Sequence, residues 1–136
     1  MPYFLAKTDP DTYTMDQLEK DGRTTWDGVT NPQAVRSIRS MQPGDVIFLY
    51  HSGGESAIVG LMSVLSKPRD DPKNPKSAVV DVQFLRRLPQ PTTLAQIKQS
   101  HLFSDWSLVR QSRLSTMGAP DSFVQWMRAR YPGTEI

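Results

Sequence analysis

The sequence predicts an α+β domain built on a small, curved, mainly antiparallel sheet. Three observations lead there. Short apolar or alternating runs at residues 46–50, 57–65 and 78–85 read as strands. Capping residues at Thr14, Asn31 and Thr93 open short helices around them. The chain's 136 residues, 38% of them apolar, suffice for one core and show no repeating period. So few strands leave edges to hide, and a closed or half-closed β-barrel is the expected solution. Residues 1–136 are expected to form a single domain.

The elements follow in order. Tyr3-Phe4-Leu5-Ala6 is a short strand, and Thr8-Asp9-Pro10-Asp11 is turn chemistry. Thr14 and Gln17 have capping-box spacing, with Asp16 in the first turn, and their helix should end near Gly22. Asn31 is a good N-cap and Pro32 suits the first helical position, so a second helix starts there. Its apolar face is Ala34, Ile38 and Met41, while Arg36 and Arg39 share another face. Pro43-Gly44-Asp45 turns into the buried strand 46–50, and Ser52-Gly53-Gly54-Glu55 is a hairpin-like loop. Strand 57–65 carries Gly60, which marks a bulge or a close approach of another group. Residues 67–77, with three prolines and six charges, read as a mobile loop. A half-buried strand alternates from Val80 and ends at Arg86-Arg87. Thr93 and Gln96 form another capping box. Residues 106–112 have no clear period. Residues 120–130 form a closing helix with Phe123, Trp126 and Met127 on its apolar face.

Composition removes whole classes of chemistry. Without cysteine there are no disulfides, thiolate nucleophiles, iron–sulfur clusters or cysteine-built zinc sites. His51 and His101 are too far apart in sequence for a helical metal pair, so no metal and no cofactor is implied. No glycine spacing matches a phosphate-cradling loop, and no G-x-S-x-G elbow occurs. Ser115, His51 and Asp27 could be drawn as a triad, but most chains of this size offer such a trio. The longest apolar run, residues 46–50, is far too short to cross a bilayer, and the start has no secretory pattern, so no membrane contact and a cytoplasmic location are expected. Net charge is +2, but it is unevenly spread. Residues 1–68 hold six basic against eight acidic side chains, and residues 69–136 hold ten against six. Ordinary surface composition accounts for this as readily as a phosphate-bearing partner does.

Three segments concentrate groups suited to recognition. Trp26 lies in a glycine-containing loop that leads into the Asn31-capped helix. Tyr50 and His51 lie where a strand meets a loop. Arg113-Leu114-Ser115 is the third. Each has a plain structural reading: Trp26 as a core plug, Asn31 as a cap, His51 as a satisfied strand-end histidine. Together, an aromatic wall with Asn, His and Ser hydrogen-bonding groups is what a pocket for a flat heterocycle requires.

In their order and spacing, these segments resemble the EVE domain family, a PUA-like branch related to YTH domains. The carriers are Lys7-Thr8-Asp9-Pro10, Tyr13, Trp26-Asp27-Gly28-Val29 with Asn31, Gln33 and Ala34, Met41 with Gly44-Asp45, Tyr50-His51-Ser52, Ile58-Val59-Gly60 and Gln111-Ser112-Arg113-Leu114-Ser115. The resemblance covers about residues 3 to 127. It implies a PUA-like β-barrel flanked by short helices, with a pocket for a modified nucleobase made by Thr8, Trp26, Asn31, Tyr50, His51, Leu114 and Ser115. The family usually has Ser and Glu where this chain has Thr8 and Asp9, and Arg where it has Thr30. The added methyl of Thr8 narrows the site, and Asp9 shortens the carboxylate by one methylene.

The expected function is a non-enzymatic reader of a modified base, either 5-methylcytosine or an oxidised form in DNA, or a modified base in RNA. Trp26 would stack on the base, and Asn31, Thr8, His51 and Ser115 would bond its edge. Lys7, Arg36, Arg39 and Arg113 would hold flanking phosphates. The partner is then a nucleic acid carrying that base, bound by a monomer, with a nuclease or another protein acting alongside. Two alternatives remain open: a small nucleobase- or nucleotide-binding enzyme with His51 as general base, and a protein-interaction module with a vestigial pocket.

Overall fold

The computed structural model describes residues 2–136. Among these residues there are seven strands and five helices. They are β1 (Tyr3–Thr8), α1 (Met15–Asp21), β2 (Arg23–Trp26), α2 (Pro32–Arg39), β3 (Val46–His51), β4 (Ala57–Val64), β5 (Arg69–Asp71), β6 (Asn74–Thr93), α3 (Leu94–Gln99), α4 (Ser107–Arg110), β7 (Thr116–Ala119) and α5 (Asp121–Arg130). The main path through the sheet is β2-β6-β4-β3-β1-β7, with β5 paired to β6 off that path. Only β1 and β3 run parallel, Tyr3 opposite Val46 through Thr8 opposite His51. The other pairings are antiparallel.

The predicted α+β class and mainly antiparallel sheet hold, but the barrel does not. The sheet's end strands, β2 and β7, do not pair, so it stays open. The physical reason is α2. This helix packs against both β6 and β7, and its buried face of Ala34, Val35 and Ile38 closes the core where strand pairing would otherwise have to.

Local chemistry explains why the elements begin and end where they do. The Thr14 side chain accepts from the Gln17 N–H, and Gly22, at φ 76°, returns its N–H to Leu18 and ends α1. Asn31 caps α2 through two backbone N–H groups, with Pro32 at the first turn. Both halves of the Thr93–Gln96 capping box are formed. At Gly60 the β4 pairing shifts register. A Cβ there would lie 2.8 Å from the Arg86 carbonyl oxygen and within 2.9 Å of the Met15 sulfur, so the position requires glycine's bare Cα.

Four segments depart from the sequence expectation. Residues 23–26 form a strand, because β6 pairs with them from Arg23–Gln83 to Trp26–Val80. The expected loop at 67–77 contains β5 and the start of β6. β6 itself runs on to Thr93, past the two arginines. Residues 116–119 add β7, which pairs with β1.

The core is aromatic on one side. Phe123 lies at 4.5 Å from the Trp106 ring, 5.2 Å from Phe103 and 5.4 Å from Phe48, measured between centroids. The Phe103 and Phe48 contacts are edge-to-face, which suits the ring quadrupoles, and the Trp106 ring is tilted by 43°. Leu5, Leu18, Ile38, Ile47, Leu49, Ile58, Leu61 and Met62 are fully buried around it.

Candidate nucleic-acid interface

The gap between the two ends of the open sheet is a cleft of about 490 Å³. One wall is Lys7, Thr8 and Asp9 at the end of β1, with Ser115 just before β7. The other is Thr24, Thr25 and Trp26 of β2, continuing through Asp27, Gly28 and Val29. Thr12 and Tyr13, leading into α1, complete the lining. The β1 wall is held by a 2.8 Å bond from the Lys7 N–H to the Ser115 carbonyl. Gly28, at φ 78°, turns the chain away from β2 and lets residues 27–29 curl round the mouth.

Four of the residues expected at a base pocket or phosphate site meet here: Lys7, Thr8, Trp26 and Ser115. Trp26 is the last residue of β2 and only 8% exposed, so it serves both core and cleft. The Tyr13 ring meets it edge-on, 6.3 Å between centroids at 80°. The Thr8 hydroxyl donates to the Tyr13 carbonyl at 2.9 Å, which leaves its lone pairs as acceptors. The Lys7 ammonium donates to the Ser112 carbonyl at 2.9 Å and lies 5.5 Å from the Tyr50 ring centre. Burial lowers its pKa, because losing water disfavours the charged form.

Four other expected pocket residues do not line the cleft. Asn31 is turned onto its own helix, where its Oδ1 accepts from Gln33 at 2.8 Å and Ala34 at 3.1 Å. Tyr50 is 2% exposed, with its phenol pushed up in pKa by burial against a smaller opposing hydrogen bond with Ser56. Leu114 is buried. His51 uses Nε2 to accept the Met15 N–H at 3.1 Å, in the first turn of α1. A ring nitrogen in that role is unprotonated, and burial lowers the His51 pKa, opposed by Asp16 and assisted by Arg87. The general-base reading of His51 therefore loses its base, since the nitrogen is occupied away from the cleft.

Of the remaining expected phosphate ligands, Arg39 fastens α2 to its surroundings, 3.1 Å from the Ser77 carbonyl oxygen and 2.9 Å from Asp70. Arg36 and Arg113 are exposed and have no ion pair among the described residues. Sequence reasoning missed Asp9, Thr12, Tyr13, Thr24, Thr25 and Asp27 as lining groups. Tyr13 and Asp27 stood inside the recognised motifs. Thr24 and Thr25 carried no signal, because β2 had been read as loop.

A second cleft of about 640 Å³ lies between residues 101–107 and 118–122. Its size exceeds that of the sheet-end cleft, but its aromatic groups are already engaged. The Trp106 indole N–H donates to the Gly118 carbonyl at 2.9 Å, and its ring packs on Phe123. Among the described residues no group of three His, Asp or Glu side chains could hold a metal ion. No helix among the described residues is long and apolar enough to cross a membrane.

The open sheet brackets a cleft lined by an indole, hydroxyls and a lysine. The family model described as "EVE domain" matches residues 2–129, and the chain belongs to that family. It is 32% identical to human thymocyte nuclear protein 1 over 94% of this chain, and spans 65% of that relative's length. A Rhodopseudomonas palustris protein solved by NMR shares the fold with TM-score 0.90 and 28% identity, covering 100% of this chain and 97% of its own. The human THYN1 protein in complex with 5-methylcytosine-containing DNA superposes with TM-score 0.87 at 24% identity, over 100% of both chains, which is a likeness of fold. The human, rat and mouse relatives are all named as nuclear proteins, and this corrects the expected cytoplasmic location.

Proposed function

We propose that this chain is a non-enzymatic reader of 5-methylcytosine in DNA, and that the base lodges in the sheet-end cleft. The observation that carries the reading is Trp26: a nearly buried indole whose remaining surface borders a cleft of nucleobase-accommodating size. Membership of the EVE family, and the DNA complex formed by the human THYN1 protein on the same fold, support the choice of ligand.

The hydrogen-bonding inventory matches an amino-bearing pyrimidine. The Thr8 lone pairs and the Asp27 carboxylate can only accept, and they suit the exocyclic amine. Lys7 and the Ser115 hydroxyl can donate, and they suit the ring nitrogen and carbonyl. Stacking on Trp26 supplies about 1–3 kcal/mol and tolerates any base. Selection comes from the edge, because a buried donor or acceptor left unmatched costs about 1–3 kcal/mol. Arg113 and Arg36, exposed and without an ion pair among the described residues, are the cations proposed for flanking phosphates.

The test is fluorescence anisotropy with matched oligonucleotides carrying cytosine, 5-methyl-, 5-hydroxymethyl- or 5-carboxylcytosine, and with N6-methyladenosine RNA, at two salt concentrations. Tighter binding to the 5-methylcytosine duplex at both salts is the expected result. Equal, weak and salt-sensitive binding to every probe would leave only a basic surface.

A further inference from the structure

Residues 67–77 belong to neither the core nor the cleft, yet they are built with care. Arg69 pairs with Val79, Asp70 with Ala78 and Asp71 with Asn74, making a hairpin off the main sheet path. Its turn is fixed by side chains. Asp71 accepts the Lys73 N–H at 2.9 Å, and Asn74 accepts the Lys76 N–H at 3.1 Å. Pro72 and Pro75 stiffen the same turn by fixing φ.

The base of the hairpin is fastened to the cleft wall twice. The Ser77 hydroxyl donates to the Val29 carbonyl. Four residues further along β6, one oxygen of Asp81 takes both the Arg69 guanidinium of β5 at 3.0 Å and the Thr25 hydroxyl of β2 at 2.9 Å. Val29 and Thr25 both line the cleft. The hairpin therefore continues the wall of the site as one body with it.

Its charges are answered at the base and unanswered at the tip. Asp70 pairs with Arg39 and Arg69 with Asp81. Lys73 and Lys76 are exposed and form no ion pair among the described residues. A stiff arm with two unpaired ammonium groups, fixed beside a cleft for an uncharged base, is complementary to the phosphates that flank such a base. We infer that the β5–β6 hairpin is a second anchoring arm, in which Lys73 and Lys76 grip the backbone of the DNA whose base occupies the cleft. This rests on the reader function proposed above.

The experiment compares wild type, a Lys73→Gln/Lys76→Gln variant and a charge-matched Lys20→Gln/Lys98→Gln control. Kd is measured for 5-methylcytosine and unmodified duplexes between about 50 and 200 mM salt, after thermal melts confirm that all three are folded. Each lost phosphate contact flattens the slope of log Kd against log salt by about 0.9, so the hairpin variant should be shallower by about 1.8. Across that range the salt increase should then weaken it about tenfold less than wild type. The ratio between the two duplexes should be unchanged. A wild-type slope in the hairpin variant, or an equal loss in the control, overturns the arm. A wild type without preference for the modified duplex overturns the base reading, while the slope comparison still decides the arm. Absence of any DNA binding overturns both.

Discussion

Replacing Trp26 by alanine separates its two roles because the structure assigns each a magnitude. The residue is 8% exposed, pairs with Val80 across the sheet and holds the Tyr13 ring edge-on. Removing a buried tryptophan costs about 3–5 kcal/mol. Here the space left opens into the cleft and fills with water, which places the cost near the lower figure. For a chain of this size a loss of about 3 kcal/mol corresponds to a fall in Tm of roughly 10 °C. Natural domains hold about 5–15 kcal/mol, so the variant stays folded at 25 °C, although weakened. Binding should fall further, by about 5- to 150-fold, as stacking worth about 1–3 kcal/mol disappears. Urea denaturation reads the first effect, and anisotropy with a labelled 5-methylcytosine duplex at 15–25 °C, about the range in which the variant is folded, reads the second. Trp26→Phe keeps a ring and should recover most of both. If Trp26→Ala loses stability as calculated but binds with wild-type Kd, the indole is core alone and the base does not stack on it.

Other substitutions test other parts of the argument. His51 accepts an N–H only when neutral, and its folded pKa is lowered, so below the ordinary value of about 6.5 the unfolded chain binds the extra proton first. Stability should be full above that pH, fall as pH drops through the lowered folded pKa and then level off; His51→Gln should flatten this part of a urea-midpoint profile. Asn31→Ala should cost about 1 kcal/mol in denaturant melts through loss of the α2 cap, with Kd for DNA unchanged. Gly60→Ala should destabilise by about 1–3 kcal/mol in the same assay, because the Arg86 carbonyl cannot move aside as the Met15 side chain can. Thr116→Val should raise the melting midpoint by about 1 kcal/mol equivalent, since the fully buried Thr116 hydroxyl has no hydrogen-bond partner.

What was legible in the sequence was whatever depends on neighbours along the chain. The caps at Thr14, Asn31 and Thr93 and the stop at Gly22 are local events, and each formed as read, while the close approach at Gly60 was marked by the glycine itself although Met15 and Arg86, which make it, lie far along the chain. Strand β3 was legible because its apolar run is buried whichever strand lies beside it. Strands β2 and β7 were not, because Arg23-Thr24-Thr25-Trp26 and Thr116-Met117-Gly118-Ala119 have no period of their own and become strands only by pairing with β6 and β1. Barrel closure failed for a related reason. That α2 would pack against both β6 and β7 is a tertiary fact, invisible in the helix's own amphipathic pattern. The site divided only partly along the same line. Motif residues at the sheet ends, Thr8, Trp26 and Ser115, came together, whereas Asn31 was drawn to the N–H groups of its own helix and His51 to the Met15 N–H, a contact 36 residues away along the chain that no local pattern shows.

The open sheet and the cleft are one consequence of one arrangement. Had β2 and β7 paired, Trp26 and Ser115 would have faced each other across a ladder, and no space would separate the walls. By holding the core closed on β6 and β7, α2 lets the sheet ends stand apart without exposing apolar side chains. The walls are then kept in position by bonds made away from the ligand space: Lys7 to Ser115 along the backbone, Thr25 to Asp81, and Ser77 to Val29. A site preorganised in this way pays little ordering entropy when a base enters. It also places selectivity in few hands. Thr25 is engaged with Asp81, and Thr8 has already given its proton to Tyr13. The groups left to read an incoming base edge include the Thr8 lone pairs, Thr12, Thr24, Asp27, Ser115 and the remaining protons of Lys7, and changes in base preference should follow substitutions at those positions rather than at Thr25.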